Sequence, residues 1–261
     1  MKIRFYANRE KPEVQEHFGT ISRAAETAGL EVVEGDNFDL VVTLGGDGTI
    51  LKAVHEFPEK AIFGLHLGGL GYLASVTLED ASAAFSALKN GEFTLSERTL
   101  LEVDGGFTAL NDVVVSRERS GHSALLDLYA DGRFVTRYMA DGLIFSTPTG
   151  STAYSLAAGG PVLMANSRSF VVTPMNPHAL GVRPLVINDS AEFQVTARSR
   201  TAGNAMTAGV YADGENVLTL EEGESVTIRK SARAAKLVEL KGYDPYDVLA
   251  RKLGWRGSNV K

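Results

Sequence analysis

The chain has 261 residues, 44% of them hydrophobic, a formal charge of −6 and no cysteine. That is length for about two domains with ordinary cores. The acidic balance argues against a nucleic-acid binder, and the missing thiols exclude disulfides, thiolate metal sites and a cysteine nucleophile, as suits a cytoplasmic protein.

Charges at Lys2, Arg4, Arg9, Glu10 and Lys11 interrupt the apolar residues of the N-terminus, and no stretch approaches the roughly 20 apolar residues of a membrane helix. Residues 3–6 predict a first strand. Val14, Phe18, Ile21, Ala25 and Ala28 recur at steps of four and three, one face of a helix closed by Gly29. Strands over 30–33 and 38–44, a helix over 50–57 stopped by Pro58, and a strand over 61–67 continue the pattern. This βα alternation predicts a parallel sheet covered by helices, with ligands at the carboxyl ends of its strands.

One such end reads LVVTLGGDGT, residues 40–49. Gly45, Gly46 and Gly48 lack Cβ atoms, so backbone N–H groups can face an anion, and the helix that follows adds partial positive charge. Asp47 repels phosphate unless it holds a cation or takes a proton from an attacking hydroxyl. The P-loop lysine is absent, so another cation, most simply a divalent metal, has to offset nucleotide charge. A second turn, Gly68-Gly69-Leu70-Gly71-Tyr72, follows the next strand in the same way. Thr77 and Asp80 form a capping-box-like start to a helix over 78–89, ended by Asn90-Gly91.

From Phe93 the pattern changes to short alternating segments with hairpin signals at Asp104-Gly105, Asp131-Gly132 and Asp213-Gly214. We place a boundary near Arg98: an α/β domain over 1–97, a β-rich, sandwich-like domain over 98–235 and a C-terminal segment over 236–261. In that segment Asp244-Pro245 can start a helix whose Tyr246, Leu249 and Leu253 share one face. Docking back on the first domain is one way to bury that face.

The densest polar stretch is residues 140–161, ADGLIFSTPTGSTAYSLAAGGP. Ser146, Thr147, Thr149, Ser151 and Thr152 crowd around Pro148 and Gly150. Ser151 or Thr152 can cap a helix over 153–158, and the hydroxyls suit hydrogen bonding to a sugar or base. Tyr154 offers a ring for stacking and Asp141 a lone carboxylate. Asn111-Asp112 precedes a strand; 173–178, TPMNPH, is stiffened by two prolines; Asp213 reads most economically as a hairpin residue. The histidines, His122 among them, show no metal-ligand spacing.

In this order and over nearly the whole chain, GGDGT, GGLGY, ND, DG…STPTGSTAYS…GGP, TPMNPH and DPYDVLARKLGW resemble the NAD kinase family. GGDGT is shared with lipid kinases; the long STPTGSTAYS segment separates NAD kinases from them. The resemblance implies a Rossmann-like first domain, a last helix returning to it, and homodimers or homotetramers whose sites borrow residues from a neighbour. It implies transfer of the terminal phosphoryl of ATP, or of polyphosphate, with Mg²⁺, to the 2'-hydroxyl of the adenosine ribose of NAD, which lies in the cleft between the domains. Asp47 matches the catalytic aspartate, with Gly45, Gly46, Gly48 and Thr49 around it. Tyr72 matches the aromatic after the second glycine turn. Asn111, Asp112, Asp141, Thr149, Thr152, Ala153, Tyr154 and Asn176 fall on motifs of the dinucleotide pocket.

Overall fold

The structure is a computed structural model and describes residues 1–68, 71–74, 76–118, 124–199 and 206–255. Gly69 and Leu70 of the second glycine turn, and His122, lie outside the described residues. The chain divides into two compact units, Met1–Glu97 with the chain from Ala235 onward, and Arg98–Ala234.

The first unit opens with β1 (Lys2–Ala7), α1 (Pro12–Thr27), β2 (Glu31–Val32), β3 (Leu40–Leu44), α2 (Asp47–Glu56), β4 (Ala61–His66), β5 (Val76–Thr77), α3 (Ala81–Asn90) and the start of β6 (Phe93–Val103). Strands run parallel in the order β2-β1-β3-β4, and β5 pairs with the end of β4. All five residues of β3 are buried, because helices cover both faces of the sheet. On one face Phe5, Val42, Leu44 and Phe63 pack with Ile21 of α1 and Phe85 and Leu88 of α3. Helix α2 packs on β3 and β4 and buries Ile50, Ala53 and Val54.

Two local expectations change. Helix α2 starts at Asp47, three residues before the apolar pattern begins, with Gly46 extended at its N-cap. A carboxylate is favoured in a first turn by the helix dipole, so Asp47 sits on the helix rather than in the loop. Residues 76–77 are committed to β5, and the Thr77 hydroxyl donates to the Asp80 carboxylate at 2.9 Å. No side chain caps α3, which begins at Ala81.

The second unit contains the end of β6, β7 (Phe107–Ala109), β8 (Asp112–Arg117), β9 (Ala124–Ala130), β10 (Arg133–Ala140), β11 (Gly142–Ser146), the short α4 (Tyr154–Ala157), β12 (Ser169–Met175), β13 (Leu185–Asn188), β14 (Phe193–Arg198), β15 (Ala208–Ala212), β16 (Glu215–Leu220) and most of β17 (Ser225–Leu240). One antiparallel sheet has the order β13-β12-β11-β8-β15-β16. Facing it, β10-β9-β14-β17 also pair antiparallel. Val113, Val115, Leu143, Phe145 and Phe170 of the first share a core with Leu126, Leu128, Phe193 and Val195 of the second. Alternating residues meet across two sheets, which makes this unit a sandwich. Asp131-Gly132 and Asp213-Gly214 turn their hairpins with φ of 49° and 71°, and 47° and 87°, the pairs of positive values that two-residue turns of type I′ require. At the third signal, Gly105 and Gly106 take the positive values instead, and the Asp104 carboxylate accepts the Thr227 N–H of β17 at 2.6 Å.

Strand β17 then re-enters the first unit, where Lys236 and Leu237 pair in parallel with Ala61 and Ile62 of β4. Helix α5 (Pro245–Lys252) follows, capped by the Asp244 carboxylate, which accepts the Tyr246 N–H at 2.9 Å. Val248 and Leu249 are its buried residues, whereas Tyr246 is 68% exposed. Of the predicted stripe from 246 to 253, Leu249 is buried, Leu253 half-buried and Tyr246 exposed. Among the described residues no helix is long and apolar enough to cross a membrane.

Candidate active site

In the first unit the GGDGT segment lies at the carboxyl end of β3. The Gly45 N–H donates to Leu65 O at 3.0 Å and the Thr49 N–H to Gly46 O at 2.9 Å. Any anion contact by this loop therefore falls to the amides of 46–48, the first turn of a helix, whose N–H groups have no intrahelical partner. Asp47 turns toward the second glycine turn. Its Oδ2 accepts the Tyr72 N–H at 2.8 Å, and its Oδ1 the N–H groups of Leu73 and Ala74 at 3.0 and 3.1 Å. A Cβ on Gly71 would stand 2.2 Å from Asp47 Oδ1, so glycine there makes room for the carboxylate. Burial, then the charge of Asp47, pushes the Tyr72 phenol upward. Lys252 of α5 lies over the Tyr72 ring, 5.4 Å from its centroid. His66, at the end of β4, accepts the Gly68 N–H on Nδ1 at 2.8 Å and places Nε2 beside Gly46.

In the second unit the structure joins two motifs far apart in sequence. Residues 110–112 enter β8, and the hydroxyl segment leaves β11 beside them, since Ser146 is in register with Asp112. The Thr147 hydroxyl donates to Leu110 O at 2.6 Å, and the Thr147 N–H to Asn111 O at 2.9 Å. A Cβ on Gly150 would fall 2.0 Å from Asn111 O; only glycine allows the two backbones to touch. Four of the clustered hydroxyls are spent on backbone: Ser146 on Thr147 O, Thr147 on Leu110 O, Ser151 on Pro148 O and Thr152 on Thr149 O. Their abundance is explained first by the need to satisfy a buried, irregular backbone. No side chain caps the single turn at Gly150–Thr152 or α4, so the N-cap reading of Ser151 and Thr152 does not hold. Tyr154 is 46% exposed beside this turn.

The carboxylate of Asp213 reaches the same place. Its Oδ2 accepts the Leu110 N–H at 2.7 Å, and its Oδ1 those of Asn111 and Asp112 at 2.8 and 3.2 Å. Asp112 is 6% exposed. Burial, then the charge of Asp213, pushes its carboxyl up to about 7.

Asp141 and Asn176 stand apart from this cluster. Asp141 precedes β11, so the strand separates it from Ser146 by about 17 Å at 3.3 Å per residue. There its carboxylate pairs with Arg117 and accepts from Asn176 Nδ2, both at 2.9 Å. The second unit thus gathers Asn111, Asp112, Thr149, Thr152, Ala153 and Tyr154 at one end of β11, and Asp141 with Asn176 at the other.

Residues 2–93 match the ATP-NAD kinase N-terminal domain, and residues 110–240 the ATP-NAD kinase C-terminal domain. The NAD kinase of Koribacter versatilis is 39% identical over 227 residues, 83% of this chain and 78% of that one. That of Carboxydothermus hydrogenoformans is 34% identical over 244 residues, 88% and 86% of the two chains. The chain belongs to the NAD kinase family.

Two solved structures share the fold of this NAD kinase family member. An NAD kinase from Archaeoglobus fulgidus in complex with ATP superposes with a TM-score of 0.82 at 26% identity, covering 98% of this chain and all of that one. Yeast NADH kinase complexed with NADH superposes with a TM-score of 0.88 at 24% identity, covering 99% and 88%. The family motifs single out Asp47 and the ND and TPTGST segments. Asp213 reads in the sequence as a hairpin residue, and Lys252 lies within the DPYDVLARKLGW motif, but nothing in the sequence sets Lys252 over the Tyr72 ring. Only the folded backbone brings Asp213 back to residues 110–112.

Proposed function

We propose that the chain phosphorylates the 2'-hydroxyl of the adenosine ribose of NAD, with Asp47 as general base and ATP or polyphosphate as donor. The observation that carries the role of Asp47 is the disposition of its lone pairs. A carboxylate offers about four acceptor directions; Oδ1 uses two on Leu73 and Ala74, and Oδ2 one on Tyr72. The remaining direction, on Oδ2, is the one for a ribose hydroxyl. Three backbone donors hold the side chain still, so no rotamer has to be ordered when substrate arrives, and positioning supplies part of the acceleration. Amides of Gly46, Asp47 and Gly48 receive donor phosphates, with Gly45 and Thr49 shaping the turn. Tyr72 borders the reacting sugar. Asn111, Asp112, Thr149, Thr152, Ala153 and Tyr154 bind the dinucleotide, Tyr154 by its exposed ring.

Magnesium fits this donor set as a companion of the nucleotide. Among the described residues no group of three or more His, Asp or Glu could hold an ion, and Asp47 is the one carboxylate within the GGDGT segment. An ion carried by the donor's phosphates would neutralise their charge; the protein's part is the amide cradle and the proton acceptor. We further infer a homodimer or homotetramer in which Asp141 and Asn176 serve a neighbour's dinucleotide, in keeping with their place at the far end of β11; light scattering after gel filtration tests it, and a monomer refutes it.

The assay crosses ATP and polyphosphate with NAD and NADH and reads NADP(H), with diacylglycerol and fructose 6-phosphate as competing acceptors. NADP formation from NAD is the expected result. Phosphorylation of lipid or sugar alone would sink the proposal, and tight NADP binding without product from any pair would make the chain a sensor.

A further inference from the structure

We infer that Asp213 is a positioning residue of the dinucleotide pocket: its carboxylate fixes the backbone of residues 110–112 and thereby the presentation of Asn111 and Asp112. The inference rests on the reading of that pair as NAD contacts.

A type I′ turn needs at its first position only a residue that tolerates positive φ, which Asn or Gly does as well as Asp. Nothing in the hairpin calls for a carboxylate that reaches three consecutive amides more than a hundred residues earlier, at 2.7, 2.8 and 3.2 Å. The contact is also reciprocal, since the Asp213 N–H donates to Asp112 O at 3.0 Å. On the opposite side Thr147 holds the carbonyls of Leu110 and Asn111. The segment is therefore held through its N–H groups by Asp213 and through its C=O groups by Thr147 and the Asp213 amide; Leu110 and Asp112 are buried, and Asn111 is half-buried. Asp131 provides an internal comparison. It occupies the same position of the β9–β10 hairpin, at φ 49°, but its carboxylate accepts the Glu192 N–H at 3.0 Å, away from Asn111 and Asp112.

The test uses the full-length chain with Asp213→Asn, Asp213→Ala and, as control, Asp131→Ala. Asn at 213 can keep the two acceptor contacts of Oδ1 while turning an NH₂ toward the Leu110 N–H; Ala loses all three. KM for NAD is expected to rise in the order parent, Asn, Ala, by about tenfold or more for Ala, from loss of charge-assisted hydrogen bonds. KM for ATP and kcat should stay within about threefold of the parent. Asp131→Ala should shift the melting temperature and leave KM for NAD at the parent value. If Asp213→Ala fails to fold, Asp213→Asn carries the test through the ratio of the two KM values. Parental KM for NAD in whichever Asp213 variants fold overturns the inference, as does a proportional loss of kcat and of affinity for both substrates, which marks general damage. A parent protein that neither binds nor turns over NAD overturns the underlying reading first, and this one with it.

Discussion

Asp47 has two jobs that one substitution can separate. In Asp47→Asn the amide oxygen can still accept from Leu73 and Ala74, while the NH₂ is turned toward the Tyr72 N–H, so the turn survives but the proton acceptor is lost. Turnover should fall by at least about two orders of magnitude with NAD affinity retained, measured by steady-state kinetics and calorimetry; near-full turnover would remove Asp47 from the base role. Gly71→Ala asks the same question from the other side. Gly71 is not at positive φ, so alanine suits the backbone, and the only severe conflict is the Cβ at 2.2 Å from Asp47 Oδ1. Turnover should drop steeply while the far-ultraviolet spectrum stays that of the parent. Asp112 yields a pH effect on stability. Its carboxyl is raised from 3.8 to about 7 in the folded protein, so the folded state binds the proton more tightly than the unfolded chain. The associated stability is fully present below about pH 4 and is lost as pH climbs through 7. Asp112→Asn cannot ionise; it should melt near the parent at pH 4 and above it at pH 8, by on the order of 3 kcal/mol. Equal melting of the two proteins across that range would refute the burial argument.

Between elements, the union of β8 and the segment leaving β11 depends on a backbone contact that side chains cannot relieve. At Gly150 the obstacle to a Cβ is the Asn111 main chain, at 2.0 to 2.5 Å. Gly150→Ala must push the two motifs apart, and overpacking of this kind costs about 1–3 kcal/mol. A lower melting temperature together with weakened NAD binding is expected, and a parental KM for NAD would show that the two segments need not touch. The cap of α5 is a simpler contact. Asp244→Ala removes the acceptor for the Tyr246 N–H and should loosen the helix by about 1 kcal/mol. Faster amide exchange confined to 246–252 is the expected signature.

The first unit is discontinuous in sequence. Its sheet takes Lys236 and Leu237 beside β4, and Val238 joins the core formed by Phe63, Phe85 and Leu88. A chain cut after Ala234 keeps the whole second unit yet deprives the first of a strand end, the α5 helix and the apolar surface of Val238. Burial of such a side chain contributes about 1.5–3 kcal/mol, a large part of the stability of a small domain. The shortened chain should show two calorimetric transitions, the lower one belonging to the first unit. A single transition at the parental temperature would show that the unit closes without its returning strand.

Local chemistry settled the fold class. Period-2 and period-3.6 patterns, and the Asp-Gly turns at 131 and 213, need only neighbours within a few residues to declare themselves. The NAD kinase motifs are likewise contiguous runs, readable without coordinates. Boundaries were less legible: α2 reaches back to Asp47 because a first turn accepts residues with no apolar period. Which atoms meet was decided by tertiary structure alone. Asp47 is tied to Tyr72, Leu73 and Ala74 by the parallel pairing of β3 and β4, and Asp213 to residues 110–112 by the pairing of β8 with β15. The hydroxyls at 146–152 look like ligand groups in the sequence, yet most are consumed by their own backbone. A residue's type is a local property, whereas its hydrogen-bond partner depends on which strands pair, 25 residues away for Asp47 and 103 for Asp213.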